Sequence, residues 1–255
     1  MPRPVNGFKQ GLYAGQQQLG LWCSIPSPLT TEAVAASGFD WLLIDMEHAA
    51  IDLPQVLAQL QAAGAAGGAH PVVRVPWNDP VALKRVLDAG AESVLIPMVQ
   101  SAEEARAAVA ATRYPPRGIR GFAGNTRATR FGRFADYFER QEQECCVLVQ
   151  VETVEALARL EEIAGVEGVD GVFIGPGDLS ASMGLLNQTR HPKVADTIED
   201  AIRRIRAAGN RPGILANDEA LARRYMAAGA AFTAVGIDIM LLVRAADALA
   251  RTFRA

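Results

Sequence analysis

Asp45, Glu47 and His48 fall within four positions, directly after the apolar run "WLLID" at Trp41–Asp45. An imidazole has an unperturbed pKa of about 6.5, which suits it to proton transfer near neutral pH. Neighbouring carboxylates can orient it. Two further carboxylates close apolar runs: Glu152 after "VLVQV", and Asp178 in "IGPGDL". Carboxylates at adjacent strand ends can share a hard cation such as Mg²⁺ or Mn²⁺ and leave positions for water and substrate oxygens. Each taken alone could instead cap the helix that follows it. Arg74 interrupts the valine-rich "PVVRV". A guanidinium there is costly unless it meets an anion. That anion is either an internal carboxylate, Asp45 or Glu152, or a substrate carboxylate or enolate. Gln150 ends the same run as Glu152. Gly175 and Gly177 precede a helix start, where free backbone N–H groups can hold a small anion.

Other residues narrow the chemistry. The three lysines are Lys9, Lys84 and Lys193, and none ends an apolar run. A Schiff-base mechanism needs a desolvated lysine at the reacting face, so carbanion chemistry here must rely on a metal. His70 precedes a strand and is expected to be structural. His191 precedes a helix and is expected to be exposed. No Cys/His cluster has zinc spacing. Cys23, Cys145 and Cys146 are too few for a disulfide framework, so a reducing cytoplasm is expected. The net charge of −3 points away from nucleic acid and membrane surfaces. No apolar run is long enough to span a bilayer, and "MPRPVNGFKQ" lacks a signal-peptide core.

Positioning these groups requires a scaffold. Short runs rich in Val, Ile and Leu begin at Leu19, Trp41, Pro71, Ser93, Cys146, Gly171, Pro212 and Phe232. They lack strict alternation, as strands buried on both faces do. Ala/Leu-rich helical segments separate them. "LTTEAVAASG" has caps expected at Thr30 or Thr31 and a stop at Gly38. "DPVALKRVLDAG" offers Asp79 as N-cap, Pro80 at the first helical position and Gly90 as terminator. Eight such pairs predict one (β/α)8 TIM barrel over residues 1–255, with chemistry at the carboxyl ends of the strands. An open doubly wound sheet is the alternative, but no GxGxxG follows the first strand. The long stretch from Tyr114 to Glu144 is expected to be functional or to carry a helix at "ADYFERQEQ". Its arginines, Arg117, Arg120, Arg127, Arg130 and Arg133, either recognise a distal substrate carboxylate or form solvated or intersubunit contacts. "DIMLLVRAADALARTF" has more apolar positions than one narrow stripe needs, which predicts association at least to a dimer.

In order along the chain, "GFDWLLIDMEHA", "PVVRVPWNDP", "LIPMV", "TRYPPRGIRG", "VLVQVET", "EGVDGVFIGPGDLSASMG" and "GILA" resemble the metal-dependent (class II) pyruvate aldolases of the 4-hydroxy-2-oxoheptanedioate aldolase / 2-dehydro-3-deoxyglucarate aldolase family. The resemblance implies a TIM barrel, with its last helix often exchanged between subunits of a dimer or hexamer. It also implies a divalent metal, Mg²⁺, Mn²⁺ or Co²⁺, on Glu152 and Asp178. Gln150 and the backbone at Gly177 and Asp178 would contact pyruvate, and Arg74 would stabilise the enolate. His48 would be the general base and Asp88 would raise its basicity. Asp88 falls near the end of the third helical segment, so a contact with His48 is expected to cross a subunit interface. The implied reaction cleaves a 4-hydroxy-2-oxo acid to pyruvate and an aldehyde through a metal-bound enolate. A CoA-thioester lyase of the citrate lyase β-subunit or malyl-CoA type, and a non-catalytic keto-acid-binding barrel, are the rivals.

Overall fold

The computed structural model describes residues 5–254. Its strands are β1 (Gln18–Cys23), β2 (Trp41–Asp45), β3 (His70–Arg74), β4 (Ser93–Ile96), β5 (Cys146–Val151), β6 (Gly171–Ile174), β7 (Pro212–Leu215) and β8 (Phe232–Ile237). They run parallel and in chain order around a closed barrel, with β8 paired back to β1. Closure rules out the open doubly wound sheet. Every residue of β2, β4, β5 and β6 is buried, which explains why their sequences do not alternate.

The helices are α1 (Gly7–Tyr13), α2 (Pro28–Ala35), α3 (Leu53–Ala66), α4 (Pro80–Asp88), α5 (Ala102–Thr112), α6 (Tyr137–Glu144), α7 (Val154–Leu157), α8 (Leu160–Ala164), α9 (Pro176–Ser182), α10 (Pro192–Ala207), α11 (Glu219–Ala228) and α12 (Asp238–Arg254). The expected helix in "ADYFERQEQ" is α6. Helix α2 starts earlier than its Thr30 or Thr31 caps would place it. Pro28 fits the first turn, and the Ser27 hydroxyl accepts from the Thr30 N–H at 3.3 Å. The segment after β5 breaks into α7 and α8 where a single helix was expected. Asp79 caps α4 through the Val81 and Ala82 N–H groups, as its pattern predicts.

Inside the barrel, Trp22, Trp41, Leu43, Val72, Leu95, Leu148, Phe173 and Phe232 form the filled core. Helix α1 lays Phe8 and Leu12 against it and closes the amino-terminal end. The carboxyl end stays open, and the strand register sets its chemistry. β2 and β3 pair so that Asp45 stands beside Arg74.

Helix α12 follows a different plan. Asp238 anchors its start by accepting from the Ser24 N–H at 2.9 Å and the Ile25 N–H at 3.2 Å. Beyond that residue the helix leaves the barrel wall. Leu242 is 57% exposed, Leu249 63% and Phe253 82%. Among the described residues, no helix is long and apolar enough to cross a membrane.

Candidate active site

The carboxyl end of the barrel holds a cavity of about 260 Å³ lined by residues that include Asp45, His48, Arg74, Gln150, Glu152, Gly177 and Asp178. These are the predicted site residues apart from Asp88. They come from β2, β3, β5 and the loop and helix after β6, and only the barrel brings them together.

Arg74 is the most constrained. Its Nε donates to Asp45 Oδ1 at 2.8 Å and its Nη2 to Oδ2 at 2.6 Å, a two-pronged pair. Its Nη1 lies 2.9 Å from Glu47 Oε2, and its Cζ sits 4.8 Å from the centre of the Trp22 ring. The Trp22 indole N–H also donates to Asp45 Oδ2 at 3.0 Å. Asp45 accepts from the Glu47 N–H at 3.0 Å as well, which fixes the turn that carries His48. Burial alone would raise the Asp45 pKa, but the hydrogen bonds and charge of Arg74, with help from Trp22, hold it below the usual carboxylate value. Of the two internal partners open to Arg74, Asp45 is therefore the one used. Glu47 is a second that the sequence did not single out, although its spacing of two from Asp45 was the available clue.

Glu152 is 2% exposed. Its Oε1 accepts from the Met98 N–H at 2.9 Å and its Oε2 from Gln150 Nε2 at 2.7 Å. Met98 adopts a left-handed backbone, φ 54°, to present that N–H. Neither metal-site candidate caps a helix: Thr153 caps α7, and α9 has no side-chain cap. Asp178 lies in the first turn of α9 and is exposed at the mouth. Burial, with the charges of Glu47 and Asp178, pushes Glu152 up to about 7. Glu47 is also pushed up to about 7, by burial and by the charges of Asp45 and Asp178 against the pull of Arg74.

The donor set fits a hard divalent cation. Gln150 Oε1 is buried without a hydrogen-bond partner, and Glu47 Oε2 has only the Arg74 ion pair. The negative groups outnumber Arg74, and every side-chain donor atom of the proposed metal site is oxygen. Among the described residues, no group of three or more His, Cys, Asp or Glu side chains is arranged to hold a metal. Two carboxylates leave the other positions to substrate and water.

His48 hangs at the rim, its side chain 63% exposed, with Nε2 3.8 Å from Glu47 Oε1. Asp88 is elsewhere. It ends α4, at the amino-terminal end of the barrel, and accepts from Arg120 Nη2 at 2.6 Å. Within one chain it does not meet His48. The arginine-rich loop lies at that same end, because it joins a helix to the start of β5. Arg117 is placed 2.9 Å from Glu167 and 3.0 Å from Glu142, and Arg127 donates to the Ala89 carbonyl. In its own subunit the loop cannot read a substrate's distal carboxylate.

The remaining expectations on lysines and histidines can be placed. Lys9, Lys84 and Lys193 lie in α1, α4 and α10, away from the mouth. His70 begins β3, stacks on Phe8 with ring centroids 5.8 Å apart, and has Nε2 2.9 Å from Ser93 Oγ. His191 is exposed and caps α10.

Fold and site together define a TIM-barrel lyase whose mouth is built from carboxylates, a guanidinium and an imidazole. The chain belongs to the HpcH/HpaI aldolase/citrate lyase family, whose model matches residues 18–245. It is 55% identical over 251 residues to the 4-hydroxy-2-oxo-heptane-1,7-dioate aldolase of Salmonella dublin, covering 98% of this chain and 95% of that one. A solved family protein from Burkholderia cenocepacia J2315 superposes with a TM-score of 0.94 at 40% identity, over 98% of this chain and 100% of that chain. The HpcH/HpaI aldolase of Desulfitobacterium hafniense DCB-2 superposes with a TM-score of 0.88 at 31% identity, over 96% of each chain.

Proposed function

We propose that the chain catalyses reversible aldol cleavage of a 4-hydroxy-2-oxo acid to pyruvate and an aldehyde, with a divalent cation (Mg²⁺, Mn²⁺ or Co²⁺) as cofactor. One observation carries this function: Glu152 and Asp178 share a cavity with Arg74 and His48, and no lysine lines it. The relatives' name supports 4-hydroxy-2-oxo-heptane-1,7-dioate as the substrate. Those relatives also disfavour the thioester lyase alternative.

Glu152 and Asp178 would hold the cation, which when bound supplies an electrophile for the keto group. Gln150 and the backbone at Gly177 and Asp178 bind the keto-acid end. His48 removes the proton from the C4 hydroxyl. The C3–C4 bond then breaks, the aldehyde departs, and the electron pair is left on the pyruvate enolate. Arg74, fixed by Asp45, Glu47 and the Trp22 face, stabilises the enolate oxygen. A proton returned to C3 completes pyruvate.

A chelator should abolish pyruvate release, and added Mg²⁺ or Mn²⁺ should restore it. Borohydride with pyruvate should leave every lysine unmodified. A reduced lysine adduct, or pyruvate binding without turnover on any hydroxy-keto acid, defeats this function.

The same proposal includes a homo-oligomer, from dimer to hexamer, in which α12 packs on a second copy. The exposed Leu242, Leu249 and Phe253 support it. In such an assembly Asp88 would approach the His48 of a neighbouring subunit. Light scattering that returned one chain's mass at micromolar concentration would remove this part.

A further inference from the structure

A second cavity, of about 480 Å³, opens where α1 ends, walled by the turns from α10 into β7 and from α11 into β8. Those turns enter the amino ends of their strands, so the cavity lies opposite the mouth and shares no residue with it. Arg206 and Arg211 line it, and no carboxylate does. Nearby arginines on α10 are treated otherwise: Arg203 pairs with Glu199 and Arg204 with Glu161.

Both cavity arginines are held in place by groups that carry no charge. Arg206 lies across Gly229, and its Nη1 donates to the Gly229 carbonyl at 3.3 Å. A Cβ at Gly229 would collide with the Arg206 side chain, and φ there is 110°, so the position needs glycine on both counts. Arg211 is pinned through its backbone, whose N–H donates to Asn210 Oδ1 at 2.7 Å and whose carbonyl accepts from the Val172 N–H at 2.9 Å. Its Cζ lies 3.8 Å from the centre of the Tyr13 ring. Tyr13 is anchored in turn by its hydroxyl, which donates to Asp170 at 2.7 Å, and Asp170 already holds Lys9 at 3.1 Å. A carbonyl and a ring face fix a guanidinium without neutralising it. Among the described residues neither arginine forms an ion pair.

Two ordered, unneutralised guanidiniums are a receptor for anionic oxygens, because each offers a carboxylate parallel N–H donors. They stand on separate elements, Arg206 in the last turn of α10 and Arg211 just before β7. Much of the remaining wall is apolar, from Leu12, Pro212, Met226, Ala230 and Ala231. The Gln17 amide N–H₂ is already given to the Met226 and Ala230 carbonyls. We propose that this cavity binds a small aliphatic dicarboxylate, with one carboxylate on each arginine and the hydrocarbon chain against the apolar wall. The site is independent of the mouth and of the aldol reaction.

The experiment is titration calorimetry of the whole, metal-free protein with malonate, succinate, glutarate and adipate. Butyrate, with one carboxylate, and sulfate, a compact dianion, serve as comparisons at the same ionic strength. One dicarboxylate should bind more tightly than both comparisons, by about tenfold or more for the second charge-assisted contact. Arg206→Gln and Arg211→Gln should each weaken it by about tenfold or more, and Arg206→Lys, the milder change, should fall between wild type and Arg206→Gln. At about 100 times its Kd that acid should raise the wild-type thermal midpoint by about 5 °C or more, and the double variant should lose the shift. Unchanged affinity in the folded variants would place the acid elsewhere, on Arg74 at the mouth for example, and overturns the proposal. So does sulfate binding as tightly as the best dicarboxylate, and so does the absence of binding by every dicarboxylate at millimolar concentration. None of these outcomes bears on pyruvate release.

Discussion

The two ends of the barrel both carry polar and charged groups, and they treat them in opposite ways. At the amino-terminal end the groups around α1 are paired. Buried Asn6 donates to Ser93 Oγ at 3.0 Å and to the Glu144 carbonyl at 2.9 Å, and accepts from the Lys9 N–H. Lys9 in turn reaches the Cys145 carbonyl at 2.7 Å and Asp170 at 3.1 Å. Asp170 also accepts from Tyr13 and from the Val147 N–H. At the carboxyl end Gln150 keeps a buried oxygen without a hydrogen-bond partner, and Glu47 and Glu152 are pushed up to about 7. A completed network holds a fold together, whereas an incomplete one at a barrel's mouth is arranged to receive something.

The sharpest way to break this contrast is to separate the two side chains, His48 and Arg74, proposed to act at the mouth. Oxaloacetate passes through the same pyruvate enolate, with CO₂ as the leaving group and no C4 hydroxyl to deprotonate. His48→Ala should therefore lose aldol cleavage by about 10²–10⁴-fold and largely keep oxaloacetate decarboxylation. Arg74→Ala should damage both reactions, because the enolate is common to them. It should also destabilise the fold by on the order of 3–5 kcal/mol, since Asp45 and Glu47 are left facing each other without their cation. Arg74→Lys should rescue little, because a point ammonium cannot reproduce two parallel bonds to Asp45. Circular dichroism and metal analysis must accompany the kinetics. Equal loss of both activities in folded, metal-loaded His48→Ala would move His48 from base to binding group.

The barrel was legible in the sequence because eight buried runs repeat with helical segments between them. WLLID and PGIL coincide with β2 and β7 residue for residue. The mouth was legible because strand ends in a barrel converge, so Asp45, Arg74, Gln150 and Glu152 could be assigned to one site. The partners of Arg74 are set by the β2–β3 register and the Trp22 ring, which no local pattern encodes. The left-handed turn at Met98 was equally hidden, because it serves Glu152, 54 residues away. Helix α1 was not among the expected helical segments. Its Phe8 and Leu12 acquire meaning only against the floor of a closed barrel. Asp88 came from resemblance alone, and a single chain holds it on Arg120.

The smallest expected effect tests the amino-terminal end by its response to acid. Burial lowers the His70 pKa from 6.5 to about 4, so the fold favours the neutral ring. Between those values the unfolded chain binds a proton that the folded chain refuses. Stability from this residue is complete above about pH 6.5 and falls as the pH drops, by up to about 1.4 kcal/mol per unit. The carboxylates of the mouth act in the reverse sense. Glu47 and Glu152 are raised from 4.5 to about 7, so in that window the folded chain holds protons that the unfolded chain releases. Acidification through it therefore stabilises the mouth of the metal-free protein while it weakens the floor. A single melt of the wild type sums the two trends and hides both. Comparison with His70→Phe isolates the floor. The phenyl ring keeps the stack on Phe8, and the lost contact with Ser93 adds only an offset independent of pH. Urea midpoints of the metal-free proteins from pH 7.5 to 4.5 should show the wild type losing ground to the variant steadily below about pH 6.5. A constant difference across that range would mean that the folded barrel accepts the proton on His70 as readily as water does. The floor would then not be the closed end that the packing of α1 on the barrel describes.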